Sequence, residues 1–274
     1  MGLVDAGANL THASFRDDLE AVLARARAAG VDTIVITGTS VEESRRAAEL
    51  AEQHPAMLYA TAGVHPHHAR DCGSATIAGL RQIATDYPRV VALGEFGLDF
   101  NRNYSPHPDQ EKWFVAQLEL GIELGKPLFL HSRDAHPRFA DVLRAHRARL
   151  PRAVAHCFTG EKDELHAYLD LGLYVGITGW ICDERRGTHL LRLVREIPRD
   201  RLLVETDAPY LTPRDLRPQP KARRNEPAFL PHVVAALARA LGVPPEDFAA
   251  ESAANARRFF ELPPPQLPDG GEAR

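Results

Sequence analysis

Eight short apolar runs, each followed by a stretch with helical periodicity, constrain this chain more than any other feature. They are Leu3 to Ala8, Thr33 to Gly38, Leu58 to Val64, Val90 to Leu98, Pro127 to Ser132, Ala153 to Phe158, Tyr174 to Thr178 and Leu202 to Thr206. Runs this apolar read as parallel strands covered on both faces. Strands alternating with helices argue an α/β protein, and eight repeats favour closure into a (β/α)8 TIM barrel over an open doubly wound sheet. The 274 residues, 44% of them hydrophobic, are enough for one such barrel, which commonly takes about 250 residues. No GxGxxG or GxxxxGK[ST] follows a strand, so a nucleotide-binding sheet would lack its phosphate loop.

The helical stretches carry their own punctuation. Phe15, Leu19, Val22, Leu23 and Ala26 recur at helical spacing, with Ser14 and Asp17 as the expected opening signal and Gly30 as the close. Ser40 and Glu43 predict a capping box for a second helix that ends before Pro55. Later helices are marked by Phe114, Leu118 and Ile122, and by Phe139, Val142 and Leu143. The barrel is expected to occupy residues 1–262, and the composition of residues 263–274 predicts a disordered tail.

A net charge of −4 excludes a global basic footprint, so a polyanion would have to be gripped by local arginines. Cys72, Cys157 and Cys182 are odd in number and lack CxxC spacing, which argues against a disulfide framework or a zinc knuckle. The first residues lack a basic leader with an apolar segment, and no run approaches the roughly 18 apolar residues of a membrane span. A cytoplasmic protein without membrane contact is expected, acting as a monomer.

Four of the strand-like runs end in acids or imidazoles: Glu95, His131, His156 and Asp207. In a parallel barrel the carboxyl ends converge on one mouth, so these side chains are expected to form a metal site. Carboxylates with imidazoles and no thiolate suit magnesium first, with manganese or zinc as alternatives. A bound divalent cation activates water for hydrolysis; Asp207, with Glu95, is the catalytic candidate for orienting or deprotonating it. A lone histidine on an apolar run is more often a satisfied core residue, so the weight rests on the four together.

Around them lie residues with two open readings. His65 and His67 bind a scissile phosphate or cap the turn at Pro66; Asn101 contacts substrate or, with Asp99, closes a loop turn. Arg133, Arg185, Arg186, Arg223 and Arg224 are phosphate contacts or solvated surface charges. Tyr210 and Trp180 stack on bases or pack. Two polar segments, 99–109 and 212–227, are expected to overhang the mouth.

The runs GVHPH, GEFGLDF, LHSRDA, HCFTG, GITG, ETDAPYL and RRNEPA fall in order from Leu3 to Phe260 and closely resemble the TatD family of metal-dependent nucleases. The resemblance implies a (β/α)8 metal-dependent hydrolase acting on nucleic acid, with 3′-5′ exonuclease activity favouring single-stranded DNA. One departure stands out. Many members carry His-x-His at the first strand, whereas this chain has Gly7 and Asn9, which puts a tightly held two-metal centre in doubt. Two alternatives stay open: a hydrolase of a small amide, lactone or phosphoester, and a non-catalytic binding module.

Overall fold

The computed structural model describes residues 2–264 except Lys221. Its eight strands are β1 (Leu3–Ala8), β2 (Val31–Ile36), β3 (Leu58–Ala62), β4 (Val90–Asp99), β5 (Leu128–Arg133), β6 (Ala153–Ala155), β7 (Tyr174–Ile177) and β8 (Leu202–Val204). They pair in sequence order in one sheet, and every pair is parallel. The seam between β8 and β1 is bridged just beyond β8, where Asp207 N–H donates to Gly7 O at 2.8 Å and Asn9 N–H to Ala208 O at 2.6 Å. The chain is thus a (β/α)8 barrel, as the eight apolar runs predict.

The helices are α1 (Leu19–Ala28), α2 (Val41–Gln53), α3 (Thr76–Asp86), α4 (His107–Leu124), α5 (His136–Ala145), α6 (Lys162–Asp170), α7 (Leu190–Leu193), α8 (Leu230–Leu241) and α9 (Pro245–Phe260). Their buried faces, such as Phe114 and Leu118 on α4 and Phe139 and Leu143 on α5, pack on the outside of the strands. Inside, Val4, Ala6, Val35, Ala92, Phe129, Val154 and Leu203 form a second cluster with Phe259 and Phe260 of α9. Tyr174, at the start of β7, lies 5.0 Å from the Phe259 ring, so α9 covers the amino ends of the strands and leaves the carboxyl ends open.

Ser40 caps α2, its Oγ accepting from Glu43 N–H at 3.1 Å, but the Glu43 carboxylate pairs with Arg46 at 3.0 Å instead of completing the expected capping box. Ser14 does not open α1. It lies in a 3₁₀ turn capped by the His12 ring, and α1 begins four residues after Phe15, at Leu19. Asp18, at the entry to α1, makes no capping bond because its carboxylate is taken by Arg224 and Arg25. Among the described residues no single helix is long and apolar enough to cross a membrane. The expected tail, 263–274, falls almost wholly outside the described residues; Pro263 still accepts from the Arg257 guanidinium.

Candidate metal centre

Barrel closure brings acids and imidazoles from the ends of five strands to one floor, with Glu95 at the centre. Its Oε1 lies 2.8 Å from His131 Nδ1, 3.4 Å from His65 Nε2 and 3.6 Å from His156 Nε2. Asp207 Oδ1 reaches His156 Nε2 at 4.0 Å and accepts from Asn9 Nδ2–H at 3.0 Å. Two groups of ligand atoms are close enough to share a cation: His65, Glu95 and His131 in one, and His156, Cys157 and Asp207 in the other. The four residues singled out in the sequence therefore divide between two neighbouring triads bridged by Glu95 and His156. His65, read from sequence as a phosphate contact or turn cap, stands among the candidate ligands while its Nδ1 also accepts from His67 N–H at 3.1 Å.

The local backbone explains why the sequence places Glu95 there. Gly94 has φ of 150°, and a Cβ at that position would meet Phe129 O at 2.4 Å. Only a residue without a side chain permits this approach of β4 to β5. Asp207 and Cys157 adopt φ of 53° and 47°. Left-handed backbone in non-glycine residues is uncommon and gathers where a side chain must be aimed at a site.

Charge in the pocket is unbalanced. Burial penalises the Glu95 carboxylate, but the His65 and His156 rings outweigh it and hold the group well below the usual carboxylate range. Burial pushes Asp207 up to about 7 against the pull of His156, with Glu95 and Glu205 adding to the rise. His156 is raised to about 10, because Glu205 and Glu95 overcome its burial. Burial instead drives His65 down to about 4. The carboxylates of Glu95, Glu205 and Asp207 thus favour positive charge among them. His131 Nε2 is buried with no hydrogen-bond partner, which is costly unless something outside the chain supplies one. Together with the donor types, this orphaned atom fits a divalent cation.

Several contributors escaped the sequence reading. Glu205 Oε2 holds His156 Nδ1 at 2.7 Å and its Oε1 accepts from Cys157 N–H at 2.6 Å. This carboxylate orients the imidazole and leaves Nε2 facing the pocket, as partners of metal-bound histidines do. Room for it comes from glycines: a Cβ at Gly7 would stand 2.9 Å from Glu205 Oε2, and one at Gly176 would stand 2.4 Å from Oε1. Asp5, fully buried, accepts from Thr206 N–H at 2.8 Å and Thr206 Oγ1–H at 2.6 Å, tying the segment before Asp207 to β1. Asp99 closes the expected loop turn by accepting from Asn101 N–H at 3.0 Å, and its unforeseen part is that Oδ2 lies 2.7 Å from His67 Nε2 and 3.7 Å from His131 Nε2. Each was legible by the criterion that flagged Glu95, an acid inside an apolar run. Cys157 brings a thiol beside the centre, which the sequence reading did not foresee.

The floor opens into a cavity of about 1450 Å³ lined by Arg133, Arg186 and Arg223, with Arg214 from the same loop as Arg223 and Arg16 and Arg102 from two others. Trp180 lies beneath two guanidinium groups, Arg186 at 4.2 Å and Arg133 at 5.8 Å from its ring centre. Tyr210 and Tyr104 are half exposed at the rim, edge-on to His12 and His67. Three expected contacts are elsewhere. Arg224 turns away to pair with Asp18 at 2.7 Å over the Phe15 ring; Arg185 pairs with Asp183 outside the cavity; Asn101 closes the Asp99 turn and donates to Asp134 at 2.6 Å. For Arg224 and Asn101 a nearby carboxylate satisfies the group more directly than the mouth does; Asp183 also holds Arg186, at 3.0 and 3.1 Å, and Arg186 still lines the cavity.

Residues 4–261 match the family model described as TatD related DNase. A 3′-5′ ssDNA/RNA exonuclease TatD from Erwinia billingiae is 53% identical over 261 residues, covering 95% of this chain and 100% of that protein. The protein of the same name from Pantoea vagans is 54% identical over 260 residues with the same coverage. Among solved structures, YjjV, a TatD homologue from Escherichia coli, superposes with a TM-score of 0.87 at 30% identity, covering 95% of this chain and 98% of its own.

Proposed function

The chain belongs to the family of TatD-related DNases, and from that membership we propose a metal-dependent 3′-5′ exonuclease on single-stranded DNA or RNA, its cation held among Glu95, His65, His131, His156 and Asp207. The observation that carries this reading is the meeting of those five side chains beneath an arginine-lined cavity. A cation bound there supplies a low-pKa water and offsets charge on the attacked phosphodiester. Asp207 is the proton acceptor: it lies at the floor, is steadied by Asn9, and has an affinity for protons near neutrality. Glu205 and Asp99 hold the rings of His156 and His67 in place.

Substrate grip is assigned to Arg133, Arg186 and Arg223 on phosphates, with Tyr210, Trp180 and Tyr104 stacking on bases. The cavity exceeds the roughly 300–1,000 Å³ of small-molecule pockets and its walls are charged, which favours a polyanion over a small neutral ester. Three imidazoles rather than two move the donor set from magnesium toward manganese or zinc. End-labelled single-stranded and duplex oligonucleotides, incubated with each metal or with chelator, test the whole reading. A ladder shortening from the 3′ end on single strands is expected; metal-independent cleavage, or none with any metal, defeats it.

A further inference from the structure

A third cluster of metal-ligating groups lies outside the mouth. Cys182 ends the 3₁₀ turn that follows β7, Asp215 sits in the loop after β8, and His232 is in the first turn of α8. Their ligand atoms all lie within 4.8 Å of one another, and His232 Nε2 is 2.7 Å from Asp215 Oδ1. We propose that Cys182, Asp215 and His232 form a zinc site that pins the loop after β8 to the body of the barrel. A thiolate, an imidazole and a carboxylate make a borderline-soft set that selects zinc over magnesium or calcium. Three protein ligands leave one tetrahedral position for water.

The placement gives the site a consequence. Asp215 adjoins Arg214, whose guanidinium reaches Glu184 at 3.2 Å and Asp183 at 3.6 Å. The same loop carries Arg217 and Arg223, which line the mouth cavity. A cation joining Asp215 to buried Cys182 and to α8 therefore fixes the approach of those arginines. Binding releases the thiol proton and tightens as pH rises.

The test reads the metal rather than nuclease activity, so it stands apart from the proposed function. Full-length protein stripped with chelator is given excess manganese to occupy the mouth, then titrated with cobalt(II). A thiolate-to-cobalt charge-transfer band should appear in the near ultraviolet, be displaced by zinc, vanish in Cys182→Ser and persist in Cys157→Ser. Asp215→Asn, on an exposed loop where folding is not at stake, should weaken cobalt binding by more than tenfold. In the wild type, zinc should also slow amide exchange in residues 212–220, and Asp215→Asn should abolish that effect. No band, a band that survives Cys182→Ser or is lost in Cys157→Ser, unchanged affinity in Asp215→Asn, or unaltered exchange on zinc binding would each overturn the proposal.

Discussion

In the proposed reaction Asp207 is the proton acceptor, and its left-handed backbone and the hydrogen bond from Asn9 hold its carboxylate at the floor. Asp207→Asn keeps the shape and removes the charge, so turnover should fall by about 10²–10⁴ while oligonucleotide binding and the melting temperature change little. Retained activity at saturating manganese would reassign the base. The pH dependence has a definite sign. Without a cation, the acid-rich pocket keeps protons on Asp207, raised to about 7, and on His156, raised to about 10. Metal must displace them, so manganese affinity of the stripped protein should rise steadily as pH increases across about 6–9, read by calorimetry. Glu205→Gln removes the charge behind His156 and should weaken manganese binding by about 10–100-fold.

At the scale of elements, the strand ends are set by close backbone approaches. A Cβ at Gly63, just past β3, would stand 2.5 Å from the Gly94 carbonyl carbon, immediately before Glu95. Gly63→Ala must therefore displace the end of β4. Both a lower melting temperature and weaker manganese binding are expected, whereas Gly73→Ala, with nothing within 4 Å of the added atom, should leave both near wild type. Equal behaviour of the two variants would show that β4 yields without moving Glu95. The cap of α2 lies at the rim of the mouth, where Thr39 and Glu43 line the cavity and Thr39 O accepts from His65 N–H at 2.9 Å. Ser40→Ala should cost about 1 kcal/mol of stability, measured by urea unfolding.

Across the whole molecule, a net charge of −4 coexists with a cavity lined by arginines because most of the acids lie elsewhere or are spent in local pairs. Single-strand binding should weaken when any two of Arg133, Arg186 and Arg223 become alanine, and its salt dependence should flatten by roughly 0.7 in log–log slope per lost contact. Arg185→Ala, outside the cavity, serves as the control and should leave the slope alone. Arg224→Ala should lower stability through the lost Asp18 pair rather than alter the salt slope. Slopes in the double variants identical to that of Arg185→Ala, measured by fluorescence anisotropy, would remove the arginines of the mouth from substrate grip.

Local sequence determined the fold class, most strand positions and the α2 cap, since apolar runs, helical spacing and Ser-x-x-Glu depend on neighbours within a few residues. It also singled out Glu95, His131, His156 and Asp207, because acids and imidazoles at the ends of apolar runs are costly unless something balances them. Which of these lie close enough to share a cation was decided by barrel closure alone, which set His65 and His131 around Glu95 and left His156 beside Cys157 and Asp207. The same holds for Glu205, housed between Gly7 and Gly176, and for Arg224, turned to Asp18 across more than two hundred residues. Such partnerships depend on distances across the barrel, and no spacing along the chain encodes them.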